Sequence, residues 1–219
     1  MLFSGGVDSS LLAVLAAPDH RLTLRTVGTE GSPDLERACD AARRLGLTWE
    51  AALLRAEEME ASWNGWAVGL HTQAEPRRSV LFALGLAFER FPHRCLLLGQ
   101  GADELFGGYA HFAPLSPEEA LERSNTDLAR LREHDWPDTL EIARRSEVEL
   151  AAPFLDPEFI RTVALVPTPL RFEGGDRKPL LRRIARAAGL PEAIAGSPKK
   201  AMQYGSGVAK FLRSRPRGG

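Results

Sequence analysis

The sequence holds little of what marks metal centres, disulfide scaffolds or membrane proteins. Its two cysteines, Cys39 and Cys95, lie far apart, with no CxxC pair and no histidine-rich tract among five histidines. That leaves no zinc or iron–sulfur signature and fits two small residues in a reducing compartment. No apolar run reaches the roughly 20 residues a membrane helix needs, and no secretory leader precedes the first chemical motif at residue 4. A cytoplasmic protein is expected. Charge of one sign is missing too: the formal net charge is -1 and the pI about 6.5. That balance argues against nucleic acid or an anionic membrane as the principal partner. Lysine is scarce: of 28 basic residues only Lys178, Lys199, Lys200 and Lys210 are lysines. No internal repeat or low-complexity tract occurs.

What is present is an alternation of apolar patterns. Met1–Phe3 reads as a strand stub and Asp8–Ala17 as a helix stopped by Pro18. A strand at Leu22–Val27 leads to a helix at Leu35–Leu45, with Ser32 as its N-cap, Pro33 at the first helical position and Gly46 as its stop. Thr48–Leu54 reads as a third strand, Glu57–Leu70 and Arg77–Phe91 as helices, and Cys95–Leu98 as a short strand buried on both faces. Such alternation predicts an α/β fold, a doubly wound parallel sheet with helices on both faces, over residues 1–112. Residues 113–219 read as a mostly helical part that completes the active site within one structural unit. Its helices are expected within Pro117–Arg145, Pro157–Val166 and Arg177–Ala188.

Two glycine-rich segments carry the chemistry. In Ser4-Gly5-Gly6-Val7-Asp8-Ser9-Ser10 the glycines permit a tight turn between a strand and a helix, and backbone N–H groups can approach an anion there. The helix N-terminus and the serine hydroxyls add positive potential and donors. The GxxxxGK[ST] spacing is missing, so this is not a Walker A loop. Asp8 at an anion site makes sense if it holds Mg²⁺ against phosphates. Gly99-Gln100-Gly101-Ala102-Asp103-Glu104-Leu105-Phe106-Gly107-Gly108-Tyr109 follows the short strand at Cys95. It places an acidic pair at the strand's carboxyl end, where open α/β sheets bind ligands. Asp103 is expected to complete the metal site begun by Asp8.

The first segment resembles the SGGxDSS fingerprint of the PP-loop ATP pyrophosphatases. The second is similar to the SGEGSDELFGGY stretch of asparagine synthetases, a member of that superfamily. Three further stretches carry the same resemblance: Val27-Gly28-Thr29-Glu30-Gly31-Ser32-Pro33-Asp34-Leu35, Val148-Glu149 through Pro153-Phe154-Leu155-Asp156, and Lys178 through Arg182 followed by Ser197-Pro198-Lys199. The resemblance implies an AMP- and pyrophosphate-forming ligase. A carboxylate, aspartate by default, is adenylated and then passed to ammonia or another amine. Phe3, Ser4, Gly5, Gly6, Asp8, Ser9 and Ser10 would hold the ATP phosphates. Val27, Leu98 and Gly99 would line the adenine, and Asp8 and Asp103 would hold Mg²⁺. Lys199, Lys178, Glu149 and Gln100 would act on the reacting groups, with Lys200 beside Lys199 an alternative. Gly205–Gly207 reads as a flexible loop able to close over the site.

The departures are Gln100 where the family has glutamate, Ala151 and Ser197 where it has arginine, and a poor match over Thr72–Ser79. The family's glutaminase domain does not precede the loop in this sequence, so a stand-alone form supplied by free ammonia or by a separate glutaminase subunit is expected.

Overall fold

The computed structural model describes residues 1–66, 70–71, 77–91, 95–173, 177–197 and 205–214. Strands β1 (Leu24–Gly28) and β2 (Trp49–Leu53) pair in parallel, with Leu24 opposite Trp49. Strands β3 (Cys95–Leu97) and β4 (Glu149–Ala151) form a second parallel pair, with Cys95 opposite Glu149. Met1–Phe3 hydrogen-bonds to both pairs. Phe3 N donates to Arg25 O at 2.7 Å and Arg25 N to Met1 O at 2.9 Å, while Leu2 N donates to Leu97 O at 3.0 Å. The resulting spatial order is β2, β1, Met1–Phe3, β3, β4.

Side chains along these strands alternate between two cores, as the period of two requires. Met1, Phe3 and Leu24 enter one core with α1 (Val7–Ala16), α2 (Pro33–Leu45), α5 (Ala102–Phe106) and α10 (Pro179–Ala187). Leu2, Val27, Leu96 and Leu98 enter the other with α3 (Ala56–Trp66), α4 (Arg77–Arg90) and α7 (Trp136–Arg145). Phe82, Phe88 and Phe106 are each almost wholly buried; burial of such a side chain is worth roughly 1.5–3 kcal/mol.

Local sequence explains the helix ends. Pro33 opens α2, Asp34 and Glu36 occupy its first turn, and Gly46 closes it in the left-handed conformation. Ser116 and Glu119 make a capping box at α6 (Pro117–Arg130). Asp156 caps α8 (Pro157–Ala164) by accepting from Glu158 N and Phe159 N. A π-helical turn, Leu131–Asp135, separates α6 from α7. None of the described helices is long and apolar enough to cross a membrane.

Two expectations need correction, those for Cys95 and Ser32. The mostly helical part beyond residue 112 also contributes a short strand, β4, whose three residues are too few for a periodic signal. Cys95 is exposed, not buried, because it opens its strand at the rim. Of the helix expected over Glu57–Leu70, the structure describes Ala56–Trp66 as helical, and Leu70 lies outside a helix. Ser32 precedes α2, yet its hydroxyl makes no capping bond and finds no partner among the described residues.

Candidate functional site

The turn after Met1–Phe3 is built from its own hydroxyls and glycines. Gly5 has φ +68°, which an L side chain adopts only at a cost. Ser4 N donates to Ser9 Oγ at 3.3 Å, Gly6 N to Ser4 Oγ at 3.4 Å, and Ser9 Oγ to Gly6 O at 3.2 Å. Helix α1 then begins at Val7 with Gly6 as N-cap and no side-chain cap. Its first amides keep the partial positive charge of an open helix terminus. Ser10 is fully buried, and its hydroxyl has no partner among the described residues.

Asp8 and Asp103 converge, as their strand-end positions predict, and a third residue joins them. Lys178 Nζ lies 2.5 Å from Asp8 Oδ2 and 2.6 Å from Asp103 Oδ1. Lys178 is 1% exposed and sits in the left-handed region, φ 60°, just before Pro179 opens α10. Burial alone would lower its pKa. The two carboxylates outweigh burial and hold the ammonium above its ordinary value. Gly108 closes this cluster from the far side, and a Cβ there would overlap the Asp103 carboxylate and the Lys178 stem. Gly108 N in turn donates to Asp103 O at 2.8 Å. The sequence offered Lys178 as a site residue; nothing in it pointed to a bridge between the two acids.

The surrounding loops lock this arrangement. Gly99 packs on Asp8 and Ser9, so the two glycine-rich segments touch. Gly101, φ +97°, lies against Leu155 and Phe154, which makes Pro153-Phe154-Leu155 an anchor under the acidic turn. Tyr109 donates its hydroxyl to the buried Glu104 at 2.5 Å. Burial first, then Glu104 and Asp103, push the phenol far above its usual pKa, so it stays neutral.

On the side expected for adenine, Val27 is 7% exposed at the end of β1, and Leu98 extends β3 by donating to Ala151 O at 2.8 Å. Residues 205–207 are packed, Gly207 lying beside Thr29. Thr29 N donates to Ser206 O at 2.9 Å, and Ser206 is fully buried.

Not every expected residue joins the cluster. Gln100 follows β3 directly, and its buried Oε1 has no hydrogen-bond partner among the described residues. Glu149 is exposed at the start of β4, level with Cys95, at the end of the strands away from Gln100. The structure therefore does not bring Glu149 to Gln100, because the register of the parallel pair separates them. Lys199 and Lys200, together with Thr72–Pro76, lie outside the described residues.

Comparison with known proteins shows the family. The family model described as asparagine synthase matches residues 1–147 and 136–217. The chain belongs to the asparagine synthase family. A protein of Methanocaldococcus jannaschii that carries an asparagine synthetase name is 30% identical over 97% of this chain and 46% of its own length. The asparagine synthetase [glutamine-hydrolyzing] of Rattus norvegicus is 32% identical over 93% of this chain and 39% of its own. An asparagine synthetase domain-containing protein of Saccharomyces cerevisiae is 24% identical over 97% and 48%. The chain thus spans half or less of the length of these curated relatives. A crystal structure of a predicted tRNA methyltransferase subunit from Methanocaldococcus jannaschii covers 88% of this chain at 18% identity, with a TM-score of 0.43, too loose a likeness to assign a fold.

The residues present fit a nucleotide and a divalent cation. The glycine turn ends in an uncapped helix N-terminus. Asp8 Oδ1 is buried and has no hydrogen-bond partner among the described residues, while its other oxygen holds Lys178. Among the described residues no group of three or more His, Cys, Asp or Glu side chains forms a complete metal cage.

Proposed function

We propose that the chain is the synthetase part of an ATP-dependent, AMP- and pyrophosphate-forming amide ligase. It would adenylate a carboxylate and transfer the acyl group to ammonia or an amine. Aspartate is the default acid, by family, and the ammonia would come from solution or from a glutaminase subunit or domain. One observation carries the reading: Asp8 and Asp103 converge on one point beside an uncapped glycine turn.

In this reading the amides of the turn bind the triphosphate, and Asp8 and Asp103 would hold Mg²⁺, which would supply neutralisation of the phosphate charge. Lys178 orients those acids. Gln100, a neutral amide, can only orient the incoming nitrogen, since it accepts no proton at neutral pH. Lys199 would neutralise charge developing on the phosphates. Glu149, exposed at the start of β4, would act elsewhere than beside Gln100. The order β2, β1, Met1–Phe3, β3, β4, with cores on both faces, supports a single doubly wound sheet whose carboxyl edge holds the site.

The test is product analysis with ATP, Mg²⁺, aspartate and ammonia, followed by a screen of other acids and amines. AMP and pyrophosphate are expected, and their formation should vanish in Asp8→Asn and in Asp103→Asn. ADP and phosphate as products, or full activity in either variant, would overturn the reading.

A further inference from the structure

We propose that Arg37 is a positioning residue for the phosphate-binding turn, and that it couples the turn to the seat of residues 205–207. The inference rests on the reading of Ser4–Ser10 as the triphosphate site. Arg37 Nε donates to Ser4 O at 2.8 Å, and its Nη2 pairs with Asp34 Oδ1. The Asp34 carboxylate is 2% exposed and the Arg37 side chain 20%. The same stretch of α2 also meets the turn through backbone, since a Cβ on Gly5 would come within 2.7 Å of Arg37 O.

In a trans peptide the C=O and the following N–H point in opposite directions. Holding the Ser4 carbonyl against Arg37 therefore aims the Gly5 amide away from α2. Gly5 lies in the left-handed region, where its peptide is free to rotate unless something holds it. An anion cradle depends on that orientation being set before the ligand arrives.

The planar guanidinium suits this task because it serves two acceptors in fixed directions. Its second partner, Asp34, reaches the C-terminal segment: a Cβ on Gly205 would overlap the Asp34 carboxylate. Two residues on, a Cβ on Gly207 would overlap Thr29, whose amide donates to Ser206 O. The chain from Gly205 through Asp34 and Arg37 to Ser4 O is thus continuous packing and hydrogen bonding. Displacing one end should be felt at the other.

The experiment is calorimetric titration of ATP with Mg²⁺, and separately of adenosine, into wild type, Arg37→Ala, Arg37→Lys, Gly205→Ala and the Arg37→Ala/Gly205→Ala double variant. Losing one hydrogen bond that orients a donor should weaken ATP by about tenfold in Arg37→Ala. Adenosine, which has no phosphate, should keep its affinity. Arg37→Lys should lose nearly as much ATP affinity, since an ammonium cannot reproduce the fork. Gly205→Ala should weaken ATP through Asp34, and the double variant should be no worse than Arg37→Ala alone, the non-additivity expected of a shared path. Should Arg37→Ala not fold with Asp34 left buried, Asp34→Ala/Arg37→Ala removes both charges and should show the same selective loss. ATP affinity within twofold of wild type in the Arg37 variants, or equal losses for ATP and adenosine, would overturn the inference. Wild type binding neither ligand would instead remove the nucleotide site itself.

Discussion

Replacing Lys178 with methionine tests the site most directly. The change keeps most of the buried stem volume and removes the ammonium that Asp8 and Asp103 share at 2.5 and 2.6 Å. Two carboxylates then face each other at roughly 5 Å; at an effective dielectric constant near 20 their repulsion is about 3 kcal/mol. Removing one partner from a buried ion pair costs on the order of 3–5 kcal/mol. At roughly 2–4 °C per kcal/mol for a chain of this size, Tm should fall by about 6–20 °C.

Differential scanning fluorimetry measures this, and two companions sharpen it. Asp103→Asn in the Lys178→Met background should recover at least half of the loss. MgCl₂ should raise the Tm of Lys178→Met more than that of wild type, since a divalent cation can relieve the same repulsion. Because the fold raises the Lys178 pKa, its contribution is fully present below the unfolded value near 10.4 and is lost as pH rises through the folded value. The gap between wild type and Lys178→Met should therefore stay constant from neutral pH to about pH 9 and narrow only in stronger alkali. A Tm within 2 °C of wild type at neutral pH would refute the reasoning.

Gly108→Ala should harm both stability and ATP binding, because its methyl group would displace the Asp103 carboxylate and the Lys178 stem together; thermal unfolding and ATP titration of the one variant check both effects. Asp135→Asn should do the opposite. Burial raises the Asp135 carboxyl pKa, with Arg77 and His134 opposing, so ionisation is disfavoured in the fold. That cost is present above the folded pKa and disappears as pH falls through it. The variant should melt above wild type at pH 7 and lose that advantage in acid; equal Tm values at pH 7 would contradict this.

How much of this was legible beforehand depended on whether the signal was local. Helix α2 was readable because Pro33, the apolar period and Gly46 all lie within its own segment. The convergence of Asp8 and Asp103 followed from each ending a strand in a parallel pattern. Strand β4 was invisible: Glu149–Ala151 is too short for alternation to register, and it exists because β3 offers it an edge. The position of Glu149 level with Cys95 was unreadable for a related reason, since a motif fixes residue identity and a strand's register fixes which end of the strand pair it reaches. Arg37 carried no signal at all. It occupies an ordinary position on an amphipathic helix, and only folding brings it to Ser4 O. Lys178 was named for its motif, but its partners are set by chain crossings that no window of sequence contains.

The bridge between Asp8 and Lys178 joins residues 170 positions apart in the chain. During synthesis the phosphate turn, the acidic turn and both strand pairs leave the ribosome before the lysine that neutralises the first two. Until then Asp8 and Asp103 can approach only against their mutual repulsion. The site is therefore among the last features to form, and a chain rich in such distant contacts folds slowly. Truncated products ending before residue 178 would carry both glycine-rich segments but no stable place to bring them together.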